Sequence, residues 1–252
     1  MTGRRSRATE SPDSDPLPAV RKRLRDRANA DRANKRRKRS GSRELWLGVD
    51  ARTVASASRQ VNKNLAGDPD AVFNAAERLI HGSRFREEKD LALGLVASVA
   101  NGLTEAHLVR CLDWFAKLAD ADLVDKLATT IGATIAEMPS AQRRLSEMAR
   151  HMDPLHRLAA VRCATSALTA GMRGLKTALI IAEIVAQDRA PSVQQALGTL
   201  LADLSREAPK QAMPFLVRYC DDLPTRVFEA ALSTLPASQQ RQLQGDRARG
   251  RR

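Results

Sequence analysis

The sequence predicts an all-α protein in which antiparallel helix pairs stack into a curved α-solenoid. Aromatic residues make up only 3% of the chain, and its many Ala and Leu residues favour helices over strands, which prefer β-branched and aromatic residues. From Leu47 onward, helical segments of about 12–17 residues alternate with short breaks, so that one helix pair spans roughly 35–40 residues. An irregular helical bundle is the alternative arrangement of the same segments.

The predicted helices are separated by short polar breaks. Several breaks place an aspartate before a proline at the start of the next helix, at Asp68–Pro69, Asp153–Pro154 and Asp222–Pro224, as N-caps do. Between breaks the apolar residues recur every three or four positions, for example over 123–135. The breaks lie at 66–70, 81–84, 101–104, 118–122, 138–141, 151–154, 170–174, 188–191, 207–209 and 221–224.

Positive charge is concentrated at the two ends of the chain. Residues 1–43 carry 15 Lys/Arg against 5 Asp/Glu, a net of +10, and residues 241–252 carry 5 Arg against one Asp, a net of +4. The intervening residues 44–240 carry 22 basic and 23 acidic side chains, a net of −1. The ends therefore predict non-specific attraction to phosphates, whereas the body needs a local basic face to bind nucleic acid.

The same compositional shifts predict the domain organisation. Residues 1–16 are rich in Ser, Pro and charge without periodicity, which predicts a disordered tail. A single folded domain is expected over 17–240, with a basic helical part at 17–43, followed by a basic disordered tail at 241–252.

The densest run of charge is "KRRKR", which consists of Lys35, Arg36, Arg37, Lys38 and Arg39. One interpretation is a strip that contacts DNA phosphates. The other is a solvated helix face or a mobile arm, because charge runs are unspecific.

Several classes of site are absent from the sequence. Cys111, Cys163 and Cys220 stand far apart in apolar segments, which predicts buried free thiols in a reducing cytoplasm. His151 and His156 are separated by a Pro break, so no metal site is expected. Neither a phosphate-binding loop nor a nucleophile elbow is present, which leaves no reason to expect a cofactor. No apolar run is long enough to span a membrane.

An acidic cluster stands at the start of one predicted helix in this basic chain. Asp120 and Asp122 are explained as caps and as partners of the helix dipole. Asp125 lies one turn further along, at the edge of the buried stripe, where desolvation and function can coincide. From the residues alone, Asp125 is either a further dipole partner or a functional carboxylate.

Five segments occur in an order that resembles a known family. They are "WLGVDARTVASASRQVNK", "RFREEKDLALGLVAS", "LDWFAKLADADLVDKLATTIG", "DPLHRLAAVRCATSAL" and "PSVQQALGTLLADLSREAPKQAMPFL". Together they resemble the DNA alkylation-repair glycosylases built from HEAT-like repeats, over about residues 17–237.

The resemblance implies an all-helical curved scaffold that binds duplex DNA on its concave face. We also expect a monomer located in the cytoplasm, at the nucleoid when it is bound to DNA. The family cleaves the N-glycosidic bond of cationic alkylated purines. Its catalytic aspartate corresponds to Asp125, the last residue of "ADLVD". Its basic residue in a W-x-R-R segment corresponds to Arg157, which could hold a phosphate beside the lesion.

The chain departs from this family where two tryptophans usually flank the lesion. The corresponding positions are Ala121 and Thr199, and each lost cation–π contact is worth roughly 0.5–2 kcal/mol. Trp114 shares a helix line with Arg110 and Lys117, so it is either a displaced DNA contact or a packing residue between repeats.

Three functions follow from these observations. The first is a DNA-binding glycosylase that acts through Asp125. The second is a weak or inactive paralogue that binds damaged or branched DNA, or a protein, as a scaffold. The third is a generic α-solenoid for protein partners whose basic ends bind nucleic acid incidentally.

Overall fold

The computed structural model describes residues 15–135 and 138–250, which form 14 α-helices and contain no β-strand. The predicted all-α class is confirmed. The helices are α1 (Leu17–Asp26), α2 (Ala30–Ser40), α3 (Ala51–Asn64), α4 (Pro69–Gly82), α5 (Arg86–Ser98), α6 (Glu105–Trp114), α7 (Ala121–Ile135), α8 (Pro139–Ala149), α9 (Pro154–Thr169), α10 (Leu175–Ile184), α11 (Pro191–Glu207), α12 (Pro209–Tyr219), α13 (Thr225–Leu232) and α14 (Ala237–Gly250).

Every predicted break overlaps a junction between consecutive helices. Two junctions were missed, the one between α1 and α2 and the one between α13 and α14. The basic segment 17–43 contains two helices, because Asn29 stops the first pattern and caps α2, accepting a 2.8 Å hydrogen bond from the backbone N–H of Arg32. Asparagine competes with the helix for backbone hydrogen bonds and so marks a cap.

Two of the three predicted aspartate caps are confirmed. The side chains of Asp68 and Asp153 accept hydrogen bonds from backbone N–H groups in the first turns of α4 and α9. The third is wrong: Pro224 itself precedes α13 without a side-chain cap, and Asp222 accepts a hydrogen bond from the Gln187 amide instead.

The chain divides into two compact units, the first ending at Gly102 and the second beginning at Leu103. This division falls inside the interval 17–240 that the sequence assigned to one domain. In the first unit α3 packs on α1 and α5, and α4 packs on α5.

In the second unit the helices form two layers. One layer consists of α7, α9, α11 and α13, each packed on the next, and α8 and α10 lie against it in the other. Ser166 on α9 bonds to Thr129 on α7, 37 residues earlier, and Thr234 just after α13 bonds to Ala202 on α11, 32 residues earlier. These separations approach the repeat length that the sequence predicts.

The basic C-terminal end is helical rather than disordered over 241–250, because α14 packs on the second unit. Leu243 is buried, and the guanidinium of Arg247 lies 4.4 Å from the ring centroid of Phe228. Arg247 also donates a 2.8 Å hydrogen bond to the carbonyl of Leu223. Of the predicted tails, residues 1–14 and 251–252 lie outside the described residues.

Candidate functional site

The acidic cluster lies at the start of α7, and its first two members have the roles that helix capping predicts. Asp120 precedes the helix, is 2% exposed, and accepts a 3.3 Å hydrogen bond from the backbone N–H of Leu123. Asp122 lies in the first turn with its side chain exposed, where its charge suits the helix dipole.

Asp125 differs from both because its carboxylate is half-buried and faces a guanidinium on the neighbouring helix. The Nε of Arg162 on α9 lies 2.6 Å from Oδ1 of Asp125. The Nε–H does not point at the oxygen, so the contact is an ion pair without an aligned hydrogen bond.

The electrostatic balance at Asp125 raises the pKa of its carboxyl above the usual range. Burial is the largest cause, since it disfavours the charged form, and the nearby charge of Asp122 acts in the same direction. The positive charge of Arg162 lowers the pKa but does not cancel the effect of burial. A carboxylate so perturbed by desolvation and a specific charge partner is a candidate functional group.

A close approach between α7 and α9 sets this geometry. A Cβ at Gly132 would lie 2.6 Å from the Cβ of Ser166 and 2.8 Å from the carbonyl oxygen of Cys163, so only glycine fits. One turn earlier, the Ser166 hydroxyl donates a 3.3 Å hydrogen bond to the carbonyl of Thr129. This register places Arg162 opposite Asp125.

Arg157, the predicted phosphate contact, donates hydrogen bonds to two loops of the protein. Its Nε and Nη2 donate to the two oxygens of Asp188 at 2.5 and 3.2 Å, and that carboxylate is 5% exposed. Its Nη1 donates to the carbonyls of His151 and Met152 at 2.9 and 2.7 Å. These bonds give Arg157 a structural role, its contact with phosphate stays a prediction, and Arg162 is the arginine that faces Asp125.

Trp114 lies in the interior of the protein. Trp114 is 0% exposed at the end of α6, so packing, the alternative interpretation of this residue, is what the structure supports. Arg110 is half-buried, whereas Lys117 is exposed in the short 3-10 turn that follows.

The two positions without tryptophan are both at the surface. Ala121 is the first residue of α7, one turn before Asp125, and Thr199 is on α11 in the same layer. The Thr199 hydroxyl donates to the carbonyl of Gln195. With Arg226 it lines a groove of about 440 Å³ between α11 and α13.

Cys111, Cys163 and Cys220 are buried free thiols, as predicted, and burial raises the pKa of Cys163. Within 15–135 and 138–250, no group of three His, Cys, Asp or Glu side chains could hold a metal ion. None of the helices described is long and apolar enough to cross a membrane.

Comparison with known proteins gives two concordant results. A family model described as "DNA alkylation repair enzyme" matches residues 20–235. Among solved structures, a protein from Enterococcus faecalis, named a predicted DNA alkylation repair enzyme, is similar in fold, with a TM-score of 0.66 and 14% sequence identity over 84% of this chain and 98% of that one. No curated protein sequence matches the chain.

Proposed function

The chain belongs to the DNA alkylation repair enzyme family, and from this premise we propose that it excises cationic N3- or N7-alkylated purines from double-stranded DNA. The reaction is hydrolysis of the N-glycosidic bond. The proposed enzyme acts as a monomer, without metal or organic cofactor, in the cytoplasm at the nucleoid.

The observation that carries this proposal is the half-buried carboxylate of Asp125 with its raised pKa. When the bond between a cationic purine and C1′ breaks, the base leaves as a neutral alkylpurine and positive charge develops on the sugar. A carboxylate close to that charge stabilises it, most strongly in a site shielded from water. Water then adds to C1′, and its proton passes to Asp125 or to solvent.

Arg162 supports this role from the neighbouring helix. Its guanidinium keeps the pKa of Asp125 lower than burial alone would set it, which maintains the ionised form that the chemistry needs. The Nε of Arg162 is buried beside Asp125, but the side chain is 28% exposed, which suits its terminal N–H donors to a phosphate oxygen beside the lesion.

A second function, binding without excision, is favoured by Ala121 and Thr199. Neither side chain offers a ring against a cationic base, and two absent cation–π contacts weaken lesion recognition by about 1–4 kcal/mol. In this case the protein is a weak or inactive paralogue that binds damaged or branched DNA, or a protein, as a scaffold.

The release of methylated bases separates the two functions. Wild-type protein is incubated with methylated duplex DNA, and released 3- and 7-methylpurines are measured beside the Asp125→Asn variant. Release by wild type that the variant lacks supports the glycosylase. DNA binding with no release by wild type supports the scaffold.

A further inference from the structure

The basic helix α2 presents positive charge that the protein itself does not neutralise. Residues 30–43 contain seven Lys/Arg against the single acid Asp31. Apart from Arg32, whose charge acts on Asp50, four cations on the helix are exposed and make no ion pair or side-chain hydrogen bond with any described residue. They are Lys35, Arg37, Lys38 and Arg39.

This helix is part of the folded unit rather than a mobile arm. Asn29 caps its start and Gly41, in the left-handed conformation at φ 63°, ends it. The backbone N–H of Asn29 donates a 2.8 Å bond to the carbonyl of Leu47, and Arg36 Nη1 donates a 2.7 Å bond to the carbonyl of Val49. The segment 47–49 therefore holds α2 at its start and near its middle.

A buried carboxylate and a glycine fix that segment in turn. Glu87, 2% exposed, accepts bonds of 2.9 and 2.8 Å from the backbone N–H groups of Leu47 and Gly48. Gly48 has φ +76°, and a Cβ there would lie 2.1 Å from the carbonyl oxygen of Asn29. Helix α2 can pack this closely because position 48 has no side chain.

The unpaired charge opposes the stability of the helix that carries it. Lys35 and Arg39 are four residues apart and repel each other on one face, whereas an acid at either position would attract. The helix dipole favours only the cations of the last turn. A helix that needed only solubility would be served by mixed charges, so four unpaired cations on a fixed helix suit a polyanion.

We infer that α2 is a docking surface for the phosphate backbone of duplex DNA. The helix binds the DNA independently of its base sequence and of any lesion. This inference rests on the proposed DNA binding but not on excision by Asp125. Charge complementarity identifies a phosphate polymer. A membrane surface is disfavoured, because the exposed side of α2 carries no apolar side chain larger than alanine and interfacial helices bury an apolar face.

The test compares two charge-matched variants of the full chain. In the first, Lys35, Arg37, Lys38 and Arg39 are changed to Gln, and Arg36 is retained because it holds α2 to Val49. In the control, four exposed cations on α8, α10, α12 and α14 are changed to Gln. These are Arg143, Lys176, Lys210 and Arg241.

Affinity for unmodified duplex DNA is measured at several salt concentrations, with circular dichroism to verify folding. Each lost phosphate contact lowers the slope of log K against log salt by about 0.9, so the α2 variant should lose about 2–4 from the slope and roughly 10²–10³-fold in affinity at 0.1 M salt. The control variant should lose much less.

Two results would overturn the inference: equal losses in both variants, or unchanged DNA binding in a folded α2 variant. Binding to vesicles of phosphatidylserine is measured for wild type and for the α2 variant. If the variant loses vesicle binding while its DNA binding is unchanged, α2 is a membrane contact instead. Excision of methylated bases by wild type is measured separately. Its absence would count against the glycosylase without altering the comparison of slopes.

Discussion

Arg162 places its guanidinium Nε 2.6 Å from Oδ1 of Asp125, yet the pKa of that carboxyl remains above its usual range. Burial at the α7–α9 contact therefore outweighs the ion pair. The protein keeps a half-buried acid with a raised pKa beside an arginine, a combination that is typical of functional sites. This relationship leads to predictions about pH, stability and helix packing.

The first prediction concerns the pH dependence of excision. The proposed reaction needs the ionised carboxylate, which exists above its pKa and is lost as pH falls through it. Because the pKa of Asp125 is raised, the single-turnover rate should fall at a higher pH than for an ordinary aspartate. Arg162→Gln removes the influence that lowers the pKa, so the fall should move to still higher pH, and Arg162→Lys should restore it in part. If the pH at which the rate falls is unchanged or lower in Arg162→Gln, this prediction is wrong.

The second prediction concerns the stability of Asp125→Asn. An acid whose pKa is higher in the folded state than in the unfolded state destabilises the fold when it is ionised, and this cost disappears as pH falls below both values. Asp125→Asn should therefore melt at the same temperature as wild type or higher at pH 7, with the gain shrinking in acid. Thermal melts across pH measure this. A clear loss of melting temperature at pH 7 would mean that the pair with Arg162 is mainly structural.

The third prediction concerns the contact that aligns α7 with α9. In Gly132→Ala the new Cβ meets Ser166 and Cys163, so the helices must separate at a cost of about 1–3 kcal/mol in the free energy of unfolding. Excision should also slow, because Asp125 and Arg162 lie on these two helices. Gly245→Ala is the matched control, since its Cβ would meet only Arg249, at 3.8 Å. Urea unfolding distinguishes them, and equal effects would refute the tight-contact explanation.

The fourth prediction concerns Arg157, which sequence reasoning assigned to DNA. Arg157→Ala leaves the buried Asp188 carboxylate without its partner, which should lower the free energy of unfolding by about 2–4 kcal/mol. At temperatures where the variant is folded, the salt slope of DNA binding should stay within about 0.5 of wild type, since a lost phosphate contact would change it by about 1. Arg143→Ala, an exposed cation on α8, controls for loss of charge. If Arg157→Ala lost a full unit from the salt slope without any loss in the free energy of unfolding, Arg157 would be a DNA contact.

Features set by neighbouring residues in the chain could be predicted, whereas pairings across the repeats could not. The helix boundaries follow from local prolines, glycines and aspartates, and the half-buried position of Asp125 follows from helical periodicity. Arg162 was missed because its partner lies 37 residues away, and only the register of α7 on α9 joins them. The structural role of Arg157 was missed for the same reason, since Asp188 follows it by 31 residues.

The C-terminal end shows the same limit. Its composition is that of a solvated tail, and its order depends on Leu243 and on the contact of Arg247 with Phe228. Helix α2 is likewise positioned by residues outside it: Arg36 donates to the carbonyl of Val49, and Glu87 holds the neighbouring residues Leu47 and Gly48. Tertiary contacts of this kind override local propensity and leave no periodic signal in the sequence.

The most direct test of the central claim is single-turnover release of 3- and 7-methylpurines from methylated duplex DNA, with protein in excess. Wild type should release them, Asp125→Asn should be slower by about 10²-fold or more, and Asp122→Asn, the same change three residues away, should stay within about threefold. No release by wild type, or equal rates for wild type and Asp125→Asn, would contradict the assignment of Asp125 as the carboxylate that drives excision.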